Sequence, residues 1–481
     1  MTCKNVLNHQ IPIEKYFEEI SRIPRGIRVE KAVSDYVVSF AEARGLSVYQ
    51  DEHWNVIVKK PAGPGGEGKA PLALQAHLDM VHAKTAESCH DFEKEPIELV
   101  LTDGILTAKD TTLGADDGFG VSYILAILDD DSLFHPPLEC IFTVQEESNN
   151  EGAQLLDKSK ISADRMIGLD GDAERSTFVS CFCSDRLVMK KAYNLCRPQG
   201  KAHTVTIDEL SMGVYQGVCH QECGNAIKMM ARVLRQAALS GISLQIASWE
   251  GGKAENQNPF FSKAVIYTDS DETKLSEILD HEFALMMEEF EDERYLGRLT
   301  AASCMDAPGN VLSASDSRAV LDLVYLMPSN LFHAADGGAS ASVNNIGVIR
   351  VEDGFAELIM SARSKHFSME RHVLEHCRMI GALYGFSVQQ ASRYSPWPYN
   401  KDSALRKLAN QITLRESGFT MEEEVCPGGL ELGWFFDGKL QLDVIQLGPD
   451  LENLHTPEEQ MDMASFHRVY ALVCRMLAEI E

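Results

Sequence analysis

Pro71-Leu72-Ala73-Leu74-Gln75-Ala76-His77-Leu78-Asp79-Met80 is a short apolar run that closes on a histidine and an acid. Its length and composition suit a buried strand. The polar residues would then sit at the strand's carboxyl end, where open α/β sheets hold their ligands. The arrangement recurs: residues 138–144 are rich in β-formers and feed Gln145-Glu146-Glu147, and residues 165–169 feed Asp170. Between them, Gly114-Ala115-Asp116-Asp117-Gly118 opens a helical stretch over residues 118–128. Upstream, residues 13–23 and 30–45 have helical spacing, and residues 46–50 and 55–59 alternate like strands. Strands interleaved with helices predict an α/β fold with a mainly parallel sheet.

The last motif comes much later. A strand-like stretch over residues 441–446 leads to Leu454-His455-Thr456-Pro457, and a closing helix is expected from about residue 457 to residue 480, with proline in its first turn. The long interval between Asp170 and His455 predicts an inserted domain. Residues 187–391 fit that role, with alternating stretches at 204–207, 243–248, 264–268, 319–325 and 356–362 between helices at 225–239 and 271–290, an α+β pattern. The expected organisation is a core made of residues 1–186 and 392–481, interrupted by residues 187–391.

Bulk composition narrows the function classes. The chain has 481 residues, 44% hydrophobic and 24% charged, an ordinary globular balance with ample material for a core. Its 72 acids against 44 bases give a net charge of −28, which argues against a nucleic-acid or anionic-membrane surface. Residues 1–10 lack the apolar core of a signal peptide, and no later run has transmembrane length, so a cytoplasmic protein is expected. Twelve cysteines lack the spacing of a small disulfide scaffold and read as reduced thiols. Cys181-Phe182-Cys183 and Cys219-His220-Gln221-Glu222-Cys223 each lack the partner pair that a zinc–thiolate site uses.

Taken in order, His77, Asp116, Glu147, Asp170 and His455 supply two imidazoles and three carboxylates, a donor set for a pair of zinc, manganese or cobalt ions. Asp79 is two residues from His77, on the same side of an extended segment, where it could hold the distal ring nitrogen. Two adjacent acids after a buried strand are costly unless cations neutralise them. Being adjacent, they point differently, so Glu147 could ligate a metal while Glu146 serves as general base for an activated water. Each motif alone has a plainer reading. His-x-Asp is common, Asp116 or Asp117 could be only a helix cap, Glu146-Glu147 could be an acidic loop, and Asp172 could stand in for Asp170.

Together these motifs resemble the di-zinc metallopeptidases that include aminoacylase, bacterial glutamate carboxypeptidases and peptidase T-like tripeptidases, and in particular their aminoacyl-histidine (Xaa-His) dipeptidase branch. The likeness spans nearly the whole chain and is carried by Ile23-Pro24-Arg25-Gly26, residues 74–81, 90–97, 106–120, 137–152 and 447–459. It implies that His77, Asp116 and Asp170 serve one metal and Asp116, Glu147 and His455 the other. Asp79 would support His77, and Glu146 would be the base for a metal-bridged hydroxide. It further implies two divalent ions, zinc with cobalt or manganese as substitutes, small peptide substrates, and an inserted domain that acts as a lid and makes a homodimer. Arg363 resembles a lid arginine suited to a substrate carboxylate. The departures lie in the lid. Val214 and Tyr215 occupy the positions of the family's His-Ser pair, and His220 matches a second family histidine a few residues later. Asp117 stands where asparagine is usual, and Ser180-Cys181-Phe182-Cys183-Ser184 replaces a glycine-rich turn. Three readings follow: a dipeptidase, a deacylase of N-acyl amino acids on the same machinery, or a metal-binding homologue whose altered lid has cost it catalysis.

Overall fold

A computed structural model of the chain describes residues 5–210, 224–289, 297–334, 340–437, 439 and 441–481. The chain divides into two compact units, residues 1–181, 397–426 and 430–481 in the first and residues 182–396 and 427–429 in the second.

The first unit opens with helices α1 (Pro12–Ser21) and α2 (Lys31–Ala43), then strands β1 (Ser47–Gln50), β2 (Val56–Lys60) and β3 (Leu72–His77). Helix α3 (Ala115–Asp129), strand β4 (Leu138–Thr143), the short helix α4 (Glu146–Asn149) and strand β5 (Arg165–Gly168) follow. Every residue of β3 and β4 is buried, as expected of central strands covered on both faces. Helix α3 is buried nearly all round, and its Phe119, Tyr123, Ile124 and Ile127 pack with Leu72, Leu74, Ala76, Leu138 and Phe142 in one core.

The second unit is a separate layer of antiparallel strands. In chain order it contains β6 (Cys183–Ala192), β7 (Lys201–Asp208), α5 (Ala226–Leu239), β8 (Gln245–Gly251), β9 (Ser262–Thr268), α6 (Glu272–Glu288), β10 (Arg298–Ser303) and α7 (Ala314–Leu326). It continues with β11 (Asn330–Ala334), β12 (Ser340–Glu352), β13 (Phe355–Ser364), α8 (Phe367–Leu383) and β14 (Ser387–Tyr394). Among the described residues, nine strands form one sheet in the order β10-β7-β9-β8-β12-β13-β6-β14, with β11 on β12. The alternating stretch at 319–325 is helix, not strand. Ser313 caps α7 by accepting from Asp316 N–H, and Ser317, Val320, Leu321 and Val324 form its buried stripe.

The chain then returns to the first unit through α9 (Ala404–Ser417), β15 (Asp443–Gln446) and α10 (Met463–Glu479). The sheet order there is β1-β2-β4-β3-β5-β15. The β4–β3, β3–β5 and β5–β15 pairs are parallel, while β1–β2 and β2–β4 are antiparallel. This is the mainly parallel α/β core expected from the strand–helix alternation. The closing helix starts at Met463, capped by Asp462 accepting from Ser465 N–H, so Pro457 lies in the preceding turn and not in a first helical turn. No helix of the described residues is long and apolar enough to cross a membrane.

Candidate metal centre

Strand ends and one loop converge on a single acidic centre in the first unit. His77, the last residue of β3, is fully buried, and its Nε2 lies 2.9 Å from Asp116 Oδ1 and 3.6 Å from Asp170 Oδ1. His455 Nε2 lies 3.2 Å from Asp116 Oδ2 and 3.1 Å from Glu147 Oε1. The two oxygens of Asp116 therefore face different imidazoles. His77, Asp116 and Asp170 form one group whose ligand atoms lie within 4.8 Å of one another, and Asp116, Glu147 and His455 form another. His77, Glu146 and Glu147 satisfy the same limit. Asp172 is exposed and belongs to no such group among the described residues.

Local backbone explains the placement. Gly114 is left-handed at φ 71°, and Asp116 and Asp117 depart from helical geometry at the start of α3. This turns Asp116 toward the histidines. Asp117 is buried and has a different task, accepting from His77 N–H at 2.9 Å and from Gly120 N–H at 3.0 Å. Asp79 accepts from the backbone N–H groups of Glu146 (3.0 Å) and Glu147 (3.1 Å). Its Oδ1 is 3.5 Å from His77 Nδ1, a close approach without hydrogen-bond geometry. One carboxylate thus fixes the start of α4 and so the two acids it carries. Glu146 Oε1 is in turn held by Asn150 Nδ2 at 2.7 Å.

Four further residues brace the centre, and nothing in the motif reading singled out their side chains. Glu459 accepts from the N–H groups of Leu113, Gly114, Ala115 and Asp116 at 2.8–3.4 Å, holding the loop that presents Asp116. Arg25, buried, donates to the carbonyls of Leu78 and Asp79 and also to Gly114 O. Gln446 Nε2 donates to Asp170 Oδ2 at 3.2 Å. Glu431 Oε2 accepts from Gln75 Nε2 at 2.5 Å and Thr143 Oγ1 at 2.9 Å, while its Oε1 has no hydrogen-bond partner among the described residues.

Electrostatically, carboxylates far outnumber cations here. Burial, with Asp116 and Glu147 adding to it, pushes Asp170 up to about 7, and burial with Asp170 and Asp79 nearby pushes Glu431 up to about 8. Burial also drives Glu146 well above the usual carboxylate range, with Asp170 and Glu431 adding to it. His455 is raised to about 10 by its contacts with Asp116 and Glu147. Burial lowers His77, but its acid neighbours outweigh that and raise it well above an ordinary histidine. Such an excess of buried negative charge, facing imidazole nitrogens with no sulfur in the set, fits two divalent cations better than it fits solvent.

The family model for peptidase family M20/M25/M40 matches residues 73–479. The chain belongs to that family. It is 28% identical over 479 residues to the cytosol non-specific dipeptidase of Escherichia coli (strain K12), covering 98% of this chain and 97% of the relative. Its fold superposes on the aminoacylhistidine dipeptidase of Vibrio alginolyticus with a TM-score of 0.90 at 26% identity, covering 99% and 98% of the two chains. The aminopeptidase PepT of Bacillus cereus shares the fold more loosely, with a TM-score of 0.56 at 15% identity over 98% and 99% of the chains. As an M20/M25/M40 peptidase, the chain is a hydrolase. Arg363 lies on β13 of the second unit, where its Nη1 donates to Pro427 O at 3.1 Å. Val214, Tyr215 and His220 lie outside the described residues.

Proposed function

We propose that this peptidase is a two-metal dipeptidase acting on small peptides, Xaa-His dipeptides among them. The observation that carries the reading is Asp116, with one oxygen toward His77 and the other toward His455. A carboxylate so placed suits a bridge between two cations, with His77 and Asp170 completing one set and Glu147 and His455 the other. Two divalent ions held there would polarise the scissile carbonyl and lower the pKa of the attacking water.

The chain's own residues do the rest. Asn150 occupies Glu146 Oε1, which leaves Oε2 to take the proton from water. Glu146 then delivers that proton to the departing amide nitrogen. Asp79, by fixing the N–H groups of Glu146 and Glu147, keeps base and ligand in register. Arg363 is assigned the substrate carboxylate, and Arg363→Ala should raise KM more than it lowers kcat. Zinc as the resident metal, a cytoplasmic location, and a lid and homodimer role for residues 187–391 complete the proposal. Light scattering that returned a monomer at assay concentration would remove the dimer.

The test uses chelator-stripped full-length chain with zinc, manganese or cobalt restored, assayed on β-alanyl-histidine, other Xaa-His dipeptides and N-acyl amino acids. Metal-dependent dipeptide cleavage, reduced about 10²–10⁴-fold in Glu146→Gln, is expected. Cleavage of N-acyl amino acids alone would make the chain a deacylase. Hydrolysis that survives the Glu146 substitution would remove the mechanism.

A further inference from the structure

A second cluster of candidate ligands lies entirely within the second unit. Cys183 and Asp185, two apart on β6, project to the same face of the sheet. Glu370, in the first turn of α8, meets them there. Ligand atoms of the three lie within 4.8 Å of one another, and the residues are 1%, 0% and 6% exposed. Gln390 Nε2 donates to Asp185 Oδ1 at 2.5 Å, and Arg393 Nε donates to Glu370 Oε1 at 3.0 Å. Those donors engage one oxygen of each acid. Asp185 Oδ2 remains buried with no hydrogen-bond partner among the described residues.

Among the described residues two buried carboxylates face one guanidinium, and burial with Glu370 alongside pushes Asp185 up to about 7, so ionising both acids there is costly. A shared proton or a bound cation would relieve it. Cys183 favours the cation, because its sulfur stands with both carboxylates within 4.8 Å, and a borderline-soft metal takes thiolate and carboxylate ligands together. We propose that Cys183, Asp185 and Glu370 form a separate mononuclear site for a thiophilic divalent cation of the zinc class. Three protein ligands leave a fourth position for water. Binding would release the Cys183 thiol proton and fasten β6 to α8. Calcium and magnesium, which take oxygen ligands, are excluded by the sulfur.

Cobalt is the probe, because the centre in the first unit has only nitrogen and oxygen donors. Cobalt(II) titrated into metal-free full-length chain should give a thiolate-to-metal charge-transfer band in the near ultraviolet. Cys183→Ser should abolish the band and bind one fewer ion per chain than the parent. Asp185→Asn should weaken the band's titration about tenfold or more and decides the matter if the cysteine variant does not fold. A parent chain without the band, or a band of equal strength in Cys183→Ser, overturns the site and leaves the two acids sharing a proton.

Discussion

Asp116 owes its position to side chains distant in sequence. Glu459 grips the loop by four backbone N–H groups, and Arg25 ties the same loop to the segment that carries Asp79. Glu459→Gln keeps the size of the side chain but removes its charge and turns one acceptor into a donor facing N–H groups. Metal affinity should fall about 10–100-fold, as for other residues that orient a ligand. Equilibrium dialysis against a metal buffer measures this directly, and unchanged affinity would mean that the loop holds its shape without Glu459. The candidate ligands were legible as residue types at strand ends, and the fold brings them together. Arg25 stood in a quoted motif and Gln446 in a strand, but both act through contacts made only in the folded chain, so the sequence assigned neither a role. Asp117 differs again, since the sequence offered only a helix cap for it, whereas in the fold it accepts from His77 N–H and Gly120 N–H.

At the scale of elements, apolar runs gave reliable strands where both faces are buried, as in β3 and β4, because such strands need no alternation. The reading of alternation misleads at residues 319–325. Ala319-Val320-Leu321-Asp322-Leu323-Val324-Tyr325 fits a strand by composition, yet the Ser313 cap and the stripe through Ser317 make it helix. Thr456-Pro457 imitates a helix start six residues ahead of the closing helix, while Asp462 makes the real cap. Pairing between elements has its own energetics. Glu139, at 3% exposure on β4, accepts from Lys59, from Ser162 N–H and Oγ, and from Ala163 N–H. Burial raises its pKa, but Lys59 and these donors outweigh burial and hold it below the usual range. A depressed folded pKa contributes stability above the unfolded value, near 4.3, that is lost as pH falls through the folded value. Glu139→Gln should therefore cost on the order of 2 kcal/mol at pH 7 and progressively less below about pH 4. Urea titrations at the two pH values check it, and a pH-independent difference would contradict it.

For the whole molecule, the division into a chemistry-bearing unit and an interposed antiparallel unit follows from where the last ligand falls in the chain. The buried acids of the first unit cannot all ionise without cations, so metal removal should be felt in stability as well as activity. At about 100 times the dissociation constant, each bound ion contributes roughly 2.7 kcal/mol. Chelation should lower the Tm by several degrees, and a melting curve indifferent to chelator would count against the centre. The bridging role of Asp116 is the claim on which the functional reading depends. Electron paramagnetic resonance of metal-free chain loaded with two equivalents of manganese(II) tests it most directly. An exchange-coupled spectrum that collapses to isolated ions in Asp116→Ala is the predicted result. Uncoupled manganese in the parent chain would mean that the two groups do not share a carboxylate.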